Sequence, residues 1–161
     1  MTDQEQQPPD NPETPADAPR VDLGASVVTL VNAVAKGIEE ELEPYSLTSV
    51  EFSLLSYCYE KDECTATELA SVLPVDPPRV SRMVTALADR GLLRRRRLRN
   101  DRRVVMLRLS DDGAELAATL RRSIGNFYIS VAQGISAEDL GVFASVTDKI
   151  ADNYAAMQQS E

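Results

Sequence analysis

Apolar residues recur at intervals of three and four along most of the chain after residue 20, and this spacing limits the fold to one built mainly of helices. Aromatic residues make up only 5% of the chain and Trp is absent, so aliphatic side chains must fill the core by close packing. The apolar stripes predict a first helix over residues 21–43, a long helix over about 111–133, and a last helix that begins after Ser136.

Polar residues that cap helices divide the middle of the chain. The pattern Thr48-Ser-Val-Glu51 is a capping box and predicts the start of a second helix, and Thr65-Ala-Thr-Glu68 predicts a short third one. Asp76 is placed to cap a fourth helix, with Pro77 at the first helical position, where its missing N–H costs nothing. We expect this fourth helix to run to about Arg90.

The fourth helix has two different faces. Apolar residues at i, i+3, i+4 and i+7 are expected to face the core, namely Val80, Met83, Val84 and Leu87. The opposite face collects small, polar or basic side chains, namely Pro78, Ser81, Arg82 and Thr85, with Arg79 at its edge.

Two short segments with β-branched or alternating residues, 92–98 and 104–109, predict a β-hairpin after the fourth helix. Asn100-Asp101 supplies the turn chemistry, so the tip is the arginine-rich segment Arg99–Arg103. The order of these predicted elements is that of a winged helix-turn-helix: a short helix, a tight connection, a second helix and a basic hairpin. We therefore predict a mainly α fold with a small β-hairpin wing.

Positive charge is concentrated in one block of the chain. The overall net charge of −9 would by itself argue against a nucleic-acid partner. Between Arg79 and Arg108, however, eleven arginines and two acids give a net charge of +9, whereas the rest of the chain carries −18. Because the arginine side chain suits forked contacts with phosphates and base edges, this block favours double-stranded DNA as a partner.

The residue types present exclude most enzyme chemistry. The chain has no His and only two cysteines, Cys58 and Cys64, so it cannot assemble a Cys/His zinc site or a nucleophile paired with His. We expect no enzyme activity, no metal and no cofactor. The N-terminus has no secretory pattern and no apolar run approaches the ~20 residues of a membrane span, which predicts a cytoplasmic protein without a membrane partner.

The stretch from Thr65 to Gly113 resembles the DNA-binding region of the MarR family of bacterial transcription regulators. The matching segments are Val84-Thr-Ala-Leu-Ala-Asp-Arg-Gly-Leu-Leu93, Asp101-Arg-Arg103 and Leu107-Arg-Leu-Ser-Asp-Asp-Gly113. The long helices at both ends are similar to the dimerisation helices of this family. The resemblance therefore covers about residues 22–158.

The resemblance implies that Arg103 inserts into the minor groove and that Asp101 orients an arginine of the wing, with Arg102 sharing that role. The chemistry of the side chains favours major-groove contacts for the polar face of the fourth helix. In the run Arg94–Arg97 we expect phosphate contacts, with about two of the four arginines structural. The residues predicted to contact DNA are Pro78, Arg79, Ser81, Arg82, Thr85, Arg95, Arg97, Arg99, Asp101, Arg102 and Arg103.

The apolar stripes of the first, fifth and sixth helices need a cover, which an isologous homodimer would supply; a monomeric bundle is the alternative. A dimer would present two recognition helices to a pseudo-palindromic operator about one helical turn apart. We predict a dimerisation region formed by residues 21–45 and 111–158, and a DNA-binding domain over 46–110. Residues 1–20 are acidic and Pro-rich and are expected to form a disordered tail.

Together these features predict a sequence-specific repressor that acts as a homodimer. The resemblance implies release by a small aromatic or phenolic effector. One alternative is a redox-sensing regulator that uses Cys64, expected to be exposed, or Cys58, expected to be a small buried hydrophobe. Another alternative is a winged helix that docks an acidic protein partner.

Overall fold

The computed structural model describes residues 22–97 and 104–159. The described part confirms the mainly α fold with a small β-hairpin wing, and a 3₁₀ turn over Glu43–Tyr45 follows the first helix. The helices and strands are α1 (Leu23–Leu42), α2 (Ser49–Lys61), β1 (Glu63–Thr65), α3 (Ala66–Val72), α4 (Pro77–Asp89), β2 (Leu93–Arg97), β3 (Val105–Leu109), α5 (Asp111–Val131) and α6 (Ala137–Gln158).

The middle helices begin where the capping residues predict. The Thr48 hydroxyl accepts the Glu51 N–H at 3.3 Å, and the Glu51 carboxylate accepts the Thr48 N–H at 2.9 Å. At the start of α3 the same two bonds join Thr65 and Glu68, at 3.1 and 2.6 Å. Asp76 caps α4 with its side chain, and Pro77 is the first residue of that helix. Each cap satisfies backbone N–H groups that have no partner inside the helix.

The capping box of α3 gives the protein a pH-dependent element of stability. Hydrogen bonds from the backbone N–H and then from the hydroxyl of Thr65 hold the pKa of Glu68 below its ordinary value of 4.5. Since folding favours the carboxylate, this contribution is complete above pH 4.5 and is lost as the pH falls through the lowered pKa. We expect Glu68→Gln to lower Tm slightly at neutral pH, and the difference from wild type to shrink in acid, as followed by circular dichroism. A difference in Tm that is independent of pH would contradict this.

Two compact units divide the chain, one ending at Lys36 and the other beginning at Gly37, and α1 crosses this boundary. The described part of the first unit is the start of α1, where the Asp22 carboxylate accepts the Ala25 N–H at 3.0 Å. Its large apolar side chains are exposed: Leu23, Val27, Val28, Leu30 and Val31.

The second unit contains a three-stranded antiparallel sheet in the order β1-β3-β2. β1 pairs with β3, so that Cys64 lies opposite Leu107. Strand β1 was not predicted, because three residues are too few to reveal an alternating pattern. Leucines from six elements fill the core beside this sheet, as the composition requires: Leu42, Leu54, Leu55, Leu69, Leu87, Leu107 and Leu120 are fully buried.

The last helix, α6, contains no buried residue. The predicted apolar stripe is present along it but is solvent-exposed, and it consists of Leu140, Phe143, Val146, Ile150, Tyr154 and Met157. At the end of α5, Ile129 and Val131 are exposed as well. In the described residues, no helix is both long and apolar enough to cross a bilayer.

Candidate nucleic-acid interface

The two faces of α4 are separated as the sequence predicts. The apolar residues Val80, Met83, Val84 and Leu87 are buried. Every side chain predicted on the opposite face is exposed, namely Pro78, Arg79, Ser81, Arg82 and Thr85. The helix therefore presents two arginines and two hydroxyls to solvent, groups that can contact base edges and phosphates.

The arginines of β2 alternate between the two faces of the sheet. Arg94 and Arg96 point to one face, where they form ion pairs with Asp111 at 3.3 Å and with Glu63 at 3.4 Å. Arg95 and Arg97 occupy the other face. Two of the four arginines thus have acidic partners within the chain, while the two that were predicted to contact DNA lie together.

One of these arginines is joined to the recognition face of α4. The Arg95 guanidinium donates to the Thr85 hydroxyl at 3.2 Å, and that hydroxyl donates to the Ser81 carbonyl at 3.0 Å. Because the Arg95 contact links β2 to α4, it brings a strand arginine and the helix face into one continuous polar surface. We call the exposed side chains Arg79, Ser81, Arg82, Thr85 and Arg95 the polar surface of α4 and β2.

Four residues predicted to contact DNA, Arg99, Asp101, Arg102 and Arg103, lie outside the described residues. Their roles in the wing stay predictions. In the described residues, β2 ends at Arg97 and β3 begins at Val105.

Arg90 belongs to the basic block by sequence, but its guanidinium has a structural role. It donates to the carbonyl oxygens of Ser46 at 3.0 Å and of Tyr45 at 2.6 Å. These bonds fix the end of α4 to the turn before α2, where Ser46 has a φ of +49°. No local sequence signal reveals this contact, because its two ends are more than forty residues apart.

The two cysteines lie side by side in the core. Cys58 is buried as expected, but the prediction that Cys64 is exposed is wrong, since only 2% of it is accessible. Strand β1 turns Cys64 inward opposite Leu107, and the two sulfurs are 3.1 Å apart. Their mutual hydrogen bond, aided by burial, raises the pKa of Cys58, whereas it lowers the pKa of Cys64 against the effect of burial. Both thiols are free.

A cavity of about 300 Å³ lies beside α2, and Cys58 is one of its lining residues although only 1% of it is accessible. Charged side chains of both signs surround it, and within this lining Arg108 forms an ion pair with Asp62 at 3.0 Å. No sequence pattern predicted this cavity. Its lining consists of Cys58, Tyr59, Asp62, Arg94, Arg108, Leu109, Ser110, Asp111 and Ala114.

Comparison with known proteins agrees with this geometry. Residues 47–105 match the model of the MarR family. The transcriptional repressor CouR, solved with a 23-mer DNA duplex, is 25% identical with a TM-score of 0.72, over 80% of this chain and 92% of CouR. MarR from Escherichia coli, in a cysteine-to-serine mutant complexed with operator DNA, is 23% identical with a TM-score of 0.71, over 81% of this chain and 94% of MarR.

A third similar structure is that of BpsR from Bordetella bronchiseptica, whose DNA binding is regulated by 6-hydroxynicotinic acid. It is 18% identical with a TM-score of 0.70, over 81% of this chain and 93% of BpsR. The similarity to these structures extends well beyond the residues that match the family model. The chain therefore has the winged helix-turn-helix fold of CouR and MarR, and its residues 47–105 match the MarR family.

Proposed function

We propose that this protein is a homodimeric repressor that binds a pseudo-palindromic operator and leaves it when a small effector binds. The observation that carries the proposal is the polar surface of α4 and β2, where Arg95 donates to Thr85 beside the exposed Arg82. The net charge of the whole chain is negative, so DNA affinity must come from this local positive surface rather than from the average charge.

In the proposed complex α4 enters the major groove. Ser81, Arg82 and Thr85 are on the exposed side of the helix and meet base edges, while Arg79 reaches a phosphate or a guanine. Arg95 and Arg97 bind phosphates beside the helix. The arginines at the tip, above all Arg103, insert into the flanking minor groove; this step rests on the family resemblance.

The dimer is proposed from the exposed apolar stripe of α6. A stripe of six large apolar side chains on one helix is unusual for a surface that stays in water, and a second copy offers the same stripe in return. Two copies related by a two-fold axis would hold two α4 helices about 34–36 Å apart, the spacing of successive major grooves on one side of B-DNA.

The effector is proposed to act by shifting a population. A ligand that prefers a dimer with the wrong separation of its α4 helices weakens operator binding by its differential affinity for that state. The regulation of BpsR by a small aromatic acid supports a small aromatic or phenolic effector for this chain.

Binding to the promoter region of its own gene tests the proposal, with a scrambled duplex measured alongside over a series of salt concentrations. We expect a preference of about 4–10 kcal/mol for the promoter, with each phosphate contact adding about −0.9 to the log-log salt slope. Arg82→Ala should weaken specific binding about 5- to 150-fold, because a good base contact is worth ~1–3 kcal/mol. Arg122→Ala, which removes the same charge from an exposed position on α5, is the matched control and should stay within about twofold.

The outcomes separate the candidate functions. A steep salt slope without a preference for the promoter would contradict sequence-specific binding at that site. Absence of binding at low salt would overturn the DNA function and favour an acidic protein partner. In that case binding to the partner should survive Arg82→Ala and be lost only when the charge of the wing is removed.

A further inference from the structure

Thr85 lies on the exposed face of α4, one helical turn after Ser81, and its hydroxyl is held by two hydrogen bonds within the chain. The hydroxyl donates to the Ser81 carbonyl at 3.0 Å and accepts from the Arg95 guanidinium at 3.2 Å. A hydroxyl has one proton to donate and two lone pairs with which to accept. The Thr85 hydroxyl has therefore already used its only proton and one of its lone pairs.

These bonds limit what Thr85 can recognise in a major groove. Guanine presents the acceptors N7 and O6, adenine presents N7 and thymine presents O4, and each of these atoms needs a donor that the hydroxyl lacks. Only the amino groups of adenine and cytosine could donate to its remaining lone pair. The other end group of the side chain is a methyl group, whose partner in the groove is the C5-methyl group of thymine.

The position of Arg95 favours the thymine methyl group over the amino groups. The bond to Thr85 uses one of the five N–H donors of the guanidinium, so a phosphate can be bound by the others. A side chain in contact with a phosphate-binding arginine lies at the edge of the groove rather than at its centre. The C5-methyl group of thymine lies on the side of the ring nearest its own backbone, whereas the amino groups of adenine and cytosine lie nearer the centre.

We propose that Thr85 reads a thymine in each half-site of the operator through contact between the two methyl groups, while its hydroxyl positions Arg95 for a phosphate. This inference rests on the proposed function and gives one side chain two separate tasks. The methyl group contributes sequence specificity, because thymine alone among the four bases carries a C5-methyl group. The hydroxyl contributes affinity on any sequence, because the phosphate that Arg95 binds is the same beside every base.

Two conservative substitutions at this exposed position separate the two tasks. Thr85→Ser keeps the hydroxyl and removes the methyl group, whereas Thr85→Val keeps the methyl group and replaces the hydroxyl by a second one. Thr85→Val should weaken binding to the promoter and to the scrambled duplex alike by about two- to fivefold, the equivalent of one hydrogen bond. Thr85→Ser should weaken binding to the promoter about fourfold for each half-site, the equivalent of one buried CH₂ group, and leave the scrambled duplex unaffected.

Uracil scanning of the promoter duplex tests the contact directly, because exchanging thymine for uracil removes only the C5-methyl group. Each thymine is replaced in turn, and the affinities of wild type and the two variants are compared at one salt concentration. We expect one position in each half-site where the exchange weakens wild type and Thr85→Val about fourfold and leaves Thr85→Ser unchanged. Thr119→Ser is the matched control: Thr119 in α5 also accepts from an arginine, Arg122 at 3.4 Å, and losing its methyl group should preserve the wild-type response at every position.

The results distinguish failure of this inference from failure of the proposed function. If wild type prefers the promoter but no uracil position distinguishes Thr85→Ser from wild type, the methyl contact is overturned and the proposed function stands. If Thr85→Val loses the preference for the promoter while Thr85→Ser keeps it, the hydroxyl reads the base and the inference is again overturned. If wild type binds the promoter and the scrambled duplex equally, the proposed function is overturned, and the inference with it.

Discussion

Replacing Gly113 by alanine is expected to destabilise the protein by about 3 kcal/mol or to prevent folding. Gly113 is the third residue of α5, and a Cβ there would overlap the carbonyl group of Leu92. That carbonyl belongs to the backbone and cannot swing away as a long side chain could. The added methyl group must therefore separate α5 from the segment that joins α4 to β2.

The surrounding hydrogen bonds make this separation costly. Ser110 accepts the Gly113 N–H at 3.0 Å and donates its hydroxyl to the Gly91 carbonyl at 2.6 Å. The Ser110 N–H donates to the Leu92 carbonyl at 3.1 Å. Since Ser110 is buried, bonds broken by a shift of the helix would leave polar groups without water to replace them.

Urea denaturation of wild type and variant at one protein concentration measures this effect as a change in the free energy of unfolding. Gly141→Ala is the control, because it makes the same substitution at an exposed position in α6 with no atom within 4 Å of the new Cβ. It should raise the free energy of unfolding by about 0.5–1 kcal/mol through helix propensity. Equal effects of the two substitutions would show that the contact with Leu92 is unimportant.

Signals confined to a few residues predicted the elements of this fold well. The caps at Thr48, Thr65 and Asp76 act over three residues, so the sequence alone locates the starts of α2, α3 and α4. The burial of one face of α4 likewise follows from its own spacing, because the residues that matter are neighbours on a single helix.

Contacts between distant segments escaped prediction. β1 exists because Glu63–Thr65 pairs with Met106–Arg108, and no pattern in three residues indicates a partner that far away. The same pairing turns Cys64 inward and creates the thiol pair. Arg90 was part of the basic block by composition alone, although its bonds to two carbonyls make it structural.

The arginine run of β2 is an intermediate case. Strand alternation predicts that Arg94 and Arg96 share one face and Arg95 and Arg97 the other. Which face has acidic partners depends on Asp111 and Glu63, which only the folded chain brings beside β2. The alternation could be anticipated from the sequence, but the acidic partners of Arg94 and Arg96 required the folded sheet.

Replacing Val146 by glutamate is expected to convert the proposed dimer into monomers. Val146 is in the middle of the exposed apolar stripe of α6. In a symmetric dimer the substitution would bury two carboxylates, and an uncompensated buried charge costs about 3–5 kcal/mol. We expect the dimer dissociation constant to rise by at least about 1000-fold. Operator affinity should fall by roughly 10²–10⁴, because a monomer loses the second half-site.

Sedimentation equilibrium and binding to the promoter duplex measure the two effects on the same preparations. Ser145→Glu adds the same charge one residue earlier, at an exposed position on the other side of α6, and should leave both dimer and operator affinity unchanged. If Val146→Glu stays dimeric, the stripe of α6 is not the interface. If the variant is monomeric yet binds the operator as tightly as wild type, recognition does not depend on two half-sites. Only a joint loss of dimer and operator affinity, with Ser145→Glu unaffected, agrees with one apolar face that sets the separation of two recognition helices.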